Sequence, residues 1–150
     1  MSLKQRIEDD FIKAVRQKEA LKVSCLRLVK AAVKNKEIDK RGELDDDQII
    51  AVLQTLAKQR RESIEHFEKG GRQDLVAQEK GELAILEGYL PQALPDSELE
   101  KLIVEIVEAL KAEGPKDMGR VMKEVMAKAK GRADGKKISE LVKKKLGGGQ

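Results

Sequence analysis

Residues able to bind an anion are concentrated between positions 117 and 137, where cations and glycines alternate with apolar side chains. The apolar residues recur at steps of three and one, which predicts a helix that buries them and turns its cations outward. A turn at 133–135 then leads into a second helix. The first amides of that helix, at 135–137, would be unpaired N–H groups, which favour a phosphate. We therefore predict an anion-binding site made of Gly119, Arg120, Lys123, Lys130, Gly131, Arg132, Gly135, Lys136 and Lys137.

The distribution of charge points to a polyanion as the partner of these residues. The net charge is +4, yet residues 111–150 carry 12 Lys and Arg against 5 Asp and Glu, and residues 1–110 carry a net charge of −3. Nucleic acid is the first candidate for such a basic end. Aromatic residues make up only 2% of the chain, which argues against stacking on single strands and favours the backbone of folded RNA. The alternative is that the cations are solvated and the glycines serve only the turn.

No residue pattern typical of catalysis or metal binding is present in the sequence. His66 is the single histidine, and its place late in a predicted helix is one that the helix dipole favours. The acidic cluster at 45–47 suits the start of a helix in the same way. The spacing of Met118, Met122 and Met126 predicts core positions, with a ligand groove as the alternative. We expect no catalytic residue, no metal site, no cofactor and no enzymatic activity of the chain itself.

The cysteine count and the hydropathy favour a cytoplasmic protein. Cys25 is the single cysteine, which excludes an internal disulfide, and we expect it to be a buried small apolar side chain. The N-terminal residues do not have the pattern of a signal peptide. No window approaches the roughly 18 apolar residues of a membrane span. We therefore expect a cytoplasmic location and no membrane partner.

Helical periodicity recurs along the chain, which is dominated by residues that favour helices. We predict four helices in residues 1–90: one from the capping box of Ser2 with Gln5, one at about 20–39, one from the capping box of Asp45 with Gln48 to about Glu68, and one at about 73–89. Such helices rarely stand alone, so they must pack as a small antiparallel bundle. The side of the second helix that we expect to be buried consists of Leu21, Cys25, Leu28, Ala32 and Val33.

The C-terminal part is predicted to be a separate small domain. Pro91 and Pro95 break any helix and stiffen a hinge at 91–96. Three helices follow in residues 97–146, and we expect Ser97 to cap the first of them and Asp117 the second. We expect residues 147–150 to form a flexible tail. The predicted fold is therefore all-α, with an N-terminal four-helix region of residues 1–90 followed by a three-helix C-terminal domain. The stripe expected in the core of the second C-terminal helix consists of Met118, Val121, Met122, Val125, Met126 and Ala129.

Five short motifs resemble, in this order, the GatB/YqeY family, and they cover essentially the whole chain. They are Cys-Leu-Arg-Leu at 25–28, Lys-Gln-Arg-Arg-Glu-Ser-Ile at 58–64, Glu-Gly-Tyr-Leu-Pro at 87–91, Asp-Met-Gly-Arg-Val-Met at 117–122 and Gly-Arg-Ala-Asp-Gly-Lys at 131–136. The chain is similar to stand-alone YqeY-like proteins. It is also similar to the C-terminal tail module of the B subunit of aspartyl/glutamyl-tRNA amidotransferase.

This resemblance implies an all-helical module in two parts, which in the amidotransferase reaches toward tRNA. The resemblance implies an association with carbon–nitrogen ligase activity that uses glutamine as amido-N-donor. The active sites of the amidotransferase, however, lie in parts that this chain does not contain. Residue by residue, the resemblance implies tRNA contacts only at Gly119, Arg120 and 131–136.

Three functions are compatible with these patterns. The expected one is a tRNA-binding accessory module that acts alone or in trans with an aminoacyl-tRNA synthetase or an amidotransferase. The second is a helical protein-interaction adaptor without nucleic-acid binding. The third is amidotransferase activity of the chain itself, which the absence of catalytic residues disfavours.

Overall fold

A computed structural model of the protein describes residues 1–147, which contain seven α-helices and no strand. This confirms the all-α prediction. Residues 148–150, which are most of the predicted flexible tail, lie outside the described part. The helices are α1 (Leu3–Arg16), α2 (Ala20–Lys40), α3 (Asp46–Lys69), α4 (Gln73–Glu87), α5 (Asp96–Leu110), α6 (Met118–Ala129) and α7 (Gly135–Lys145).

The contacts divide the chain into two compact units, Met1–Leu90 with α1 to α4 and Pro91–Gln150 with α5 to α7. Each unit has its own hydrophobic core. The independent folding of the two predicted domains stays a prediction, and it is taken up in the Discussion.

The first unit begins its helices largely as the sequence predicts. Ser2 Oγ accepts a hydrogen bond from the Gln5 amide at 3.1 Å, although the Gln5 side chain donates to Asp9 and leaves the first capping box half formed. At the start of α3 both bonds of the box between Asp45 and Gln48 are present, each at 2.9 Å. Capping of this kind satisfies the free amides of the first turn.

The core of the first unit lies between its four helices. Its buried residues come from α1, α2, α3 and the end of the unit: Leu3, Ile7, Cys25, Leu26, Val29, Val33, Ile49, Val52, Leu53, Ala57, Leu86 and Tyr89. The prediction for α2 is wrong at Leu28, which is 48% exposed, and at Leu21, which is 38% exposed. Apolar residues cover more than one side of α2, and the neighbouring helices bury the side of Leu26 and Val29 instead.

Tyr89 anchors the end of the first unit to α1. Its hydroxyl donates to Asp10 Oδ2 at 2.6 Å, and the guanidinium of Arg6 lies 4.8 Å from the centre of its ring. Arg6 also donates to the carbonyl of Gly88 at 3.1 Å. Burial, together with the bond to Asp10, raises the pKa of Tyr89. The Glu-Gly-Tyr-Leu-Pro motif is thus tied to the N-terminal helix.

A partly buried cluster of two carboxylates and one arginine joins α3 to α4. Arg60 Nη1 lies 3.0 Å from Glu79 Oε2 and 3.3 Å from Glu82 Oε2, so one cation serves two carboxylates. Glu82 is the buried charged residue of the described chain, and its burial raises its pKa. Cys25 lies beside it, with Sγ 3.7 Å from the Glu82 carbonyl, and burial raises the pKa of that thiol to about 11. Cys25 is therefore an unreactive core residue.

Replacing Glu82 by Gln is expected to make the protein more stable near pH 7 and to have little effect near pH 4. The folded pKa of Glu82 lies above the unfolded one, so the stability it contributes is present at low pH and lost as pH rises through the folded value. Gln keeps the shape and remains neutral. Urea unfolding of E82Q and of the native chain at both pH values gives the two free energies of unfolding to be compared. Glu62→Gln, at an exposed site on α3, is the matched control. A variant that loses stability at pH 7 would contradict the expectation.

The second unit is built from α5, a short 3₁₀ turn at Pro115–Asp117, α6 and α7. Its core consists of Leu99, Ile103, Ile106, Val121, Val125, Ala129, Ile138, Val142 and Leu146. The segment after Pro91 joins this unit, since the Leu94 amide donates to the Arg132 carbonyl at 2.7 Å and Leu94 packs against the core.

Two predicted caps of the second unit are wrong. Pro95 holds the N-cap position of α5, which begins at Asp96 rather than after Ser97, and no side chain caps it. The fixed φ of proline suits a helix start, and the acidic first turn compensates the helix dipole. The Asp117 side chain does not cap α6, because its carboxylate accepts from the Glu113 amide at 2.9 Å. That bond closes the turn before α6, and with the contact to Arg120 it lowers the pKa of Asp117.

Candidate nucleic-acid interface

Three of the predicted site residues lie in the first turns of α6. Gly119, Arg120 and Lys123 are all exposed, whereas Val121 and Val125, on the other side of the helix, are fully buried. A side chain at Gly119 would meet nothing within 4 Å, so the backbone here is open to close approach. Arg120 is partly engaged, because its Nη2 lies 3.1 Å from Asp117 Oδ1.

The turn between α6 and α7 holds three more. Lys130 and Gly131 are consecutive left-handed residues, with φ of 45° and 80°, and they end α6. Glycine adopts this region without strain, whereas a lysine there does so at some cost. Arg132 is exposed, yet its Nε donates to the Gln92 carbonyl at 2.9 Å. This side chain therefore holds the segment after Pro91 against the turn.

The start of α7 differs from the prediction. The amide of Lys136 is not free, because the Asp134 side chain accepts its hydrogen at 3.3 Å as the N-cap. A carboxylate thus already occupies the place that we assigned to a phosphate. Lys137 Nζ lies 2.9 Å from Asp96 Oδ2, and this hydrogen bond raises the pKa of Lys137. Gly135 is the first residue of α7.

The nine predicted residues therefore divide into three groups. Arg120, Arg132 and Lys137 contact other parts of the second unit. The glycines have no side chain to offer: Gly119 is exposed on α6, Gly131 follows its end and Gly135 begins α7. The side chains of the remaining three are exposed and have no ion-pair or hydrogen-bond partner within residues 1–147. We call Lys123, Lys130 and Lys136 the free lysines.

Other exposed cations flank them. Lys128 lies on α6 and is absent from the predicted set, and 143–145 is a run of exposed lysines at the end of α7. Counting the Lys and Arg residues along the sequence, without asking which side of a helix they lie on, identifies these four positions.

Charge is segregated between the helices of the second unit. Residues 96–110, which form α5, carry one Lys against five Asp and Glu, a net charge of −4. Residues 118–147 carry ten Lys and Arg against three Asp and Glu, a net charge of +7. An even mixture of both signs would be typical of a surface selected only for solubility. The segregation gives the α6–α7 part of the unit a positive potential.

One residue of the predicted core stripe is not buried. Met126 is 50% exposed, whereas Met118 and Met122 are partly buried and pack against the core. Gly135 lies close to it, since a Cβ there would be 3.9 Å from Met126 Cε. The prediction is wrong at Met126 because the turn into α7 leaves that edge of α6 uncovered.

Comparison with known proteins identifies the family. The sequence profile described as "Yqey-like protein" matches residues 4–146. The chain belongs to the YqeY-like family. This confirms the resemblance drawn from the five motifs.

Curated relatives of this YqeY-like chain are named "Altered inheritance of mitochondria protein 41, mitochondrial". The protein of Pyrenophora tritici-repentis is 30% identical over 145 residues, which cover 95% of this chain and 80% of the relative. That of Eremothecium gossypii is 39% identical over 97 residues, which cover 64% of this chain and 52% of the relative. That of Saccharomyces cerevisiae is 32% identical over 123 residues, which cover 80% of this chain and 66% of the relative. The chain thus spans about half of the Eremothecium protein.

These names correct one prediction. We expected a cytoplasmic location, whereas the relatives are named as mitochondrial proteins. The cytoplasmic prediction is therefore wrong. Cysteine count and hydropathy, on which that prediction was based, do not distinguish the cytoplasm from an organelle.

Residues 1–147 also show two features that concern membranes and metals. None of the helices there combines the length and apolar character needed to cross a membrane. The same residues include no group of three or more His, Cys, Asp or Glu side chains placed to hold a metal ion.

Proposed function

We propose that this YqeY-like protein is a tRNA-binding accessory module without chemistry of its own. Its second unit contacts the phosphate backbone of folded RNA through the free lysines, and Gly119 leaves room for close approach. The observation that carries the proposal is the segregation of charge, +7 in residues 118–147 against −4 in α5. Exposed cations without partners are the groups that release counterions when they neutralise phosphates.

Folded RNA suits this surface better than a single strand. Base stacking needs exposed aromatic faces, and the three aromatic residues of the chain all lie in the first unit. Tyr89 is buried, and the Phe11 ring has Lys30 Nζ 4.2 Å and Arg27 Cζ 5.9 Å from its centre. Contacts from the second unit are therefore limited to phosphate, sugar and shape, as is common for helical RNA.

The test of this proposal is competition between two RNAs for the full chain. Bulk tRNA is expected to displace a labelled tRNA more effectively than poly(U) at equal phosphate concentration. The names of the relatives make mitochondrial tRNA the second pool to test. Equal competition by poly(U) would mean that charge alone attracts RNA and that shape is not recognised.

We further propose that any carbon–nitrogen ligation, with glutamine as amido-N-donor, is carried out by a partner in trans. An amidotransferase or an aminoacyl-tRNA synthetase would supply the active site, and this chain would hold the tRNA. The isolated chain should then fail to hydrolyse glutamine, with or without ATP and misacylated tRNA. Glutamine hydrolysis by the chain alone, shown not to come from a contaminating enzyme, would overturn this assignment.

A helical protein-interaction adaptor is the second candidate, favoured by large apolar side chains exposed on the first unit. Ile12, Val15, Leu28 and Ile38 are 41 to 63% exposed. Where such side chains form one contiguous patch, they are typical of a site that another protein covers. Recovery of one defined protein partner after nuclease treatment, together with no tRNA binding, would favour the adaptor.

Replacing Asp134 by Asn is expected to tighten tRNA binding about threefold, since a charge near a helix N-terminus contributes roughly 0.3–1 kcal/mol. Asn caps a helix nearly as well as Asp, so the Lys136 amide stays bonded while the negative charge is removed. Filter binding measures the affinity, and thermal unfolding should show a loss of less than about 1 kcal/mol.

The matched control is Asp39→Asn, an exposed residue near the end of α2 in the first unit. It removes the same charge and should leave tRNA affinity unchanged. Equal tightening by both variants would show that net charge, rather than the start of α7, determines the affinity.

A further inference from the structure

A cavity of about 350 Å³ lies in the first unit between α1 and α2, far in sequence from the free lysines. Its floor is formed by the buried side chains of Ile7, Val33 and Ile49, which come from three different helices. Ligand pockets of proteins are typically about 300–1,000 Å³ and mostly apolar, with a few placed polar groups. The cavity meets both conditions, because charged side chains surround an apolar floor.

Ion pairs between α1 and α2 lie at the two ends of the cavity. Lys30 Nζ lies 2.8 Å from Glu8 Oε2 at one end, and Lys4 Nζ lies 2.8 Å from Glu37 Oε2 at the other. Both lysines have a second contact as well: Lys30 lies 4.2 Å from the centre of the Phe11 ring, and Lys4 lies 3.7 Å from Glu43. These side chains are therefore held in place and both carboxylates are neutralised.

Lys34 lies between the two ion pairs. It is one helical turn after Lys30 and three residues before Glu37, and it lines the cavity. No carboxylate of residues 1–147 lies within ion-pair distance of it. The mouth of the cavity thus presents one uncompensated cation above an apolar floor.

We propose that this cavity binds a compact amphiphilic anion, whose apolar body rests on Ala31 and the accessible edges of Ile7 and Val33 and whose carboxylate meets Lys34. A medium-length acyl carboxylate has this chemistry. The ion pairs at the two ends decide against a partner helix, because Lys30 and Glu37 are seven residues apart, about 10 Å along α2. A continuous helix laid along so short a groove would have to displace both ion pairs. The site is independent of tRNA binding, which is assigned to the second unit.

Decanoate and its neutral analogue decanol are the probes. Titration of the full chain, followed by amide chemical shifts, is expected to show saturable decanoate binding with the largest shifts at 4–8 and 30–37. Decanol should bind several-fold more weakly, because it lacks the charge that Lys34 attracts. Shifts centred on the second unit, or no binding at millimolar decanoate, would overturn the proposal.

Two variants test the site and one controls for net charge. Lys34→Gln should weaken decanoate about fivefold, the effect of losing one exposed charge pair, and should remove the preference over decanol. Ala31→Leu should weaken both probes about tenfold, because Ala31 lines the cavity and a larger side chain fills the space that the ligand needs. Leu is a good helix former at this exposed position, so the fold is retained.

Lys36→Gln removes the same charge from the same helix at an exposed residue outside the cavity. It should bind decanoate like the native chain. If Lys36→Gln weakens binding as much as Lys34→Gln, or if Ala31→Leu has no effect, decanoate is attracted to the helix surface generally and the proposed site is wrong.

Discussion

Changing the three free lysines together to Glu is expected to abolish detectable tRNA binding at physiological salt. The variant K123E/K130E/K136E removes three cations from the outer side of α6, the turn and the start of α7, and places carboxylates there. At roughly 1 kcal/mol for each exposed charge contact, the affinity should fall at least about 100-fold. The slope of log K against log salt should also become shallower by about 2.7, since each phosphate contact contributes about 0.9.

The control for this variant has the same change of net charge in the first unit. Lys13, Lys36 and Lys58 are exposed and, within residues 1–147, take part in no ion pair. K13E/K36E/K58E should keep most of the affinity for tRNA and the native slope of log K against log salt. If both triple variants lose binding to the same extent, the long-range field of the whole protein attracts the RNA, and no particular surface does.

Replacing Ile138 by Ala is expected to unfold the second unit while the first stays folded. Ile138 is 1% exposed in the core between α5, α6 and α7. Deleting such a side chain costs about 2–5 kcal/mol, which approaches the whole stability of a small helical unit. The variant should lose tRNA affinity along with the fold of α6 and α7.

The chain itself provides a probe for each outcome. Tyr89 is the only tyrosine, there is no tryptophan, and Tyr89 is buried in the first unit. Its fluorescence therefore follows the first unit, while far-ultraviolet circular dichroism follows both. In I138A the midpoint of the tyrosine transition should be the same as in the native protein. The part of the dichroism signal that comes from the second unit should be lost before that transition begins.

The reciprocal variant is Leu53→Ala, which removes a fully buried side chain from α3. It should lower the midpoint of the tyrosine transition and leave the second unit folded. A single transition, shifted equally for both probes in both variants, would show that the chain unfolds as one cooperative body and that the predicted domains are not independent.

Helix positions were predictable because their signals are local. The capping box of Asp45 with Gln48 and the glycines at 70–71 place α3 within one residue of its observed ends, Asp46–Lys69. The predictions at Leu28 and Met126 were wrong because periodicity identifies an apolar side of a helix but not which neighbour covers it. Ser97 failed as a cap because Pro95 already occupies the N-cap position.

The sequence predicted which helices and which turn carry the candidate site residues, but not the contacts that these residues make; that they form a site stays a prediction. Spacing alone turns Arg120 and Lys123 away from the stripe of α6. The roles of Arg132 and Lys137 depend on Gln92 and Asp96, which lie 40 and 41 residues away in sequence. Such pairings are properties of the folded unit, so the sequence could not separate cations that hold the fold from those free to meet a ligand.

The most direct test of the proposed function is a filter-binding titration of the native chain with tRNA at salt concentrations from about 50 to 200 mM. We expect binding at low salt that weakens with a slope of about −2.7 or steeper, as three or more phosphate contacts require. No binding at the lowest salt, or an affinity that does not change with salt, would contradict the assignment of the free lysines as an RNA-binding surface.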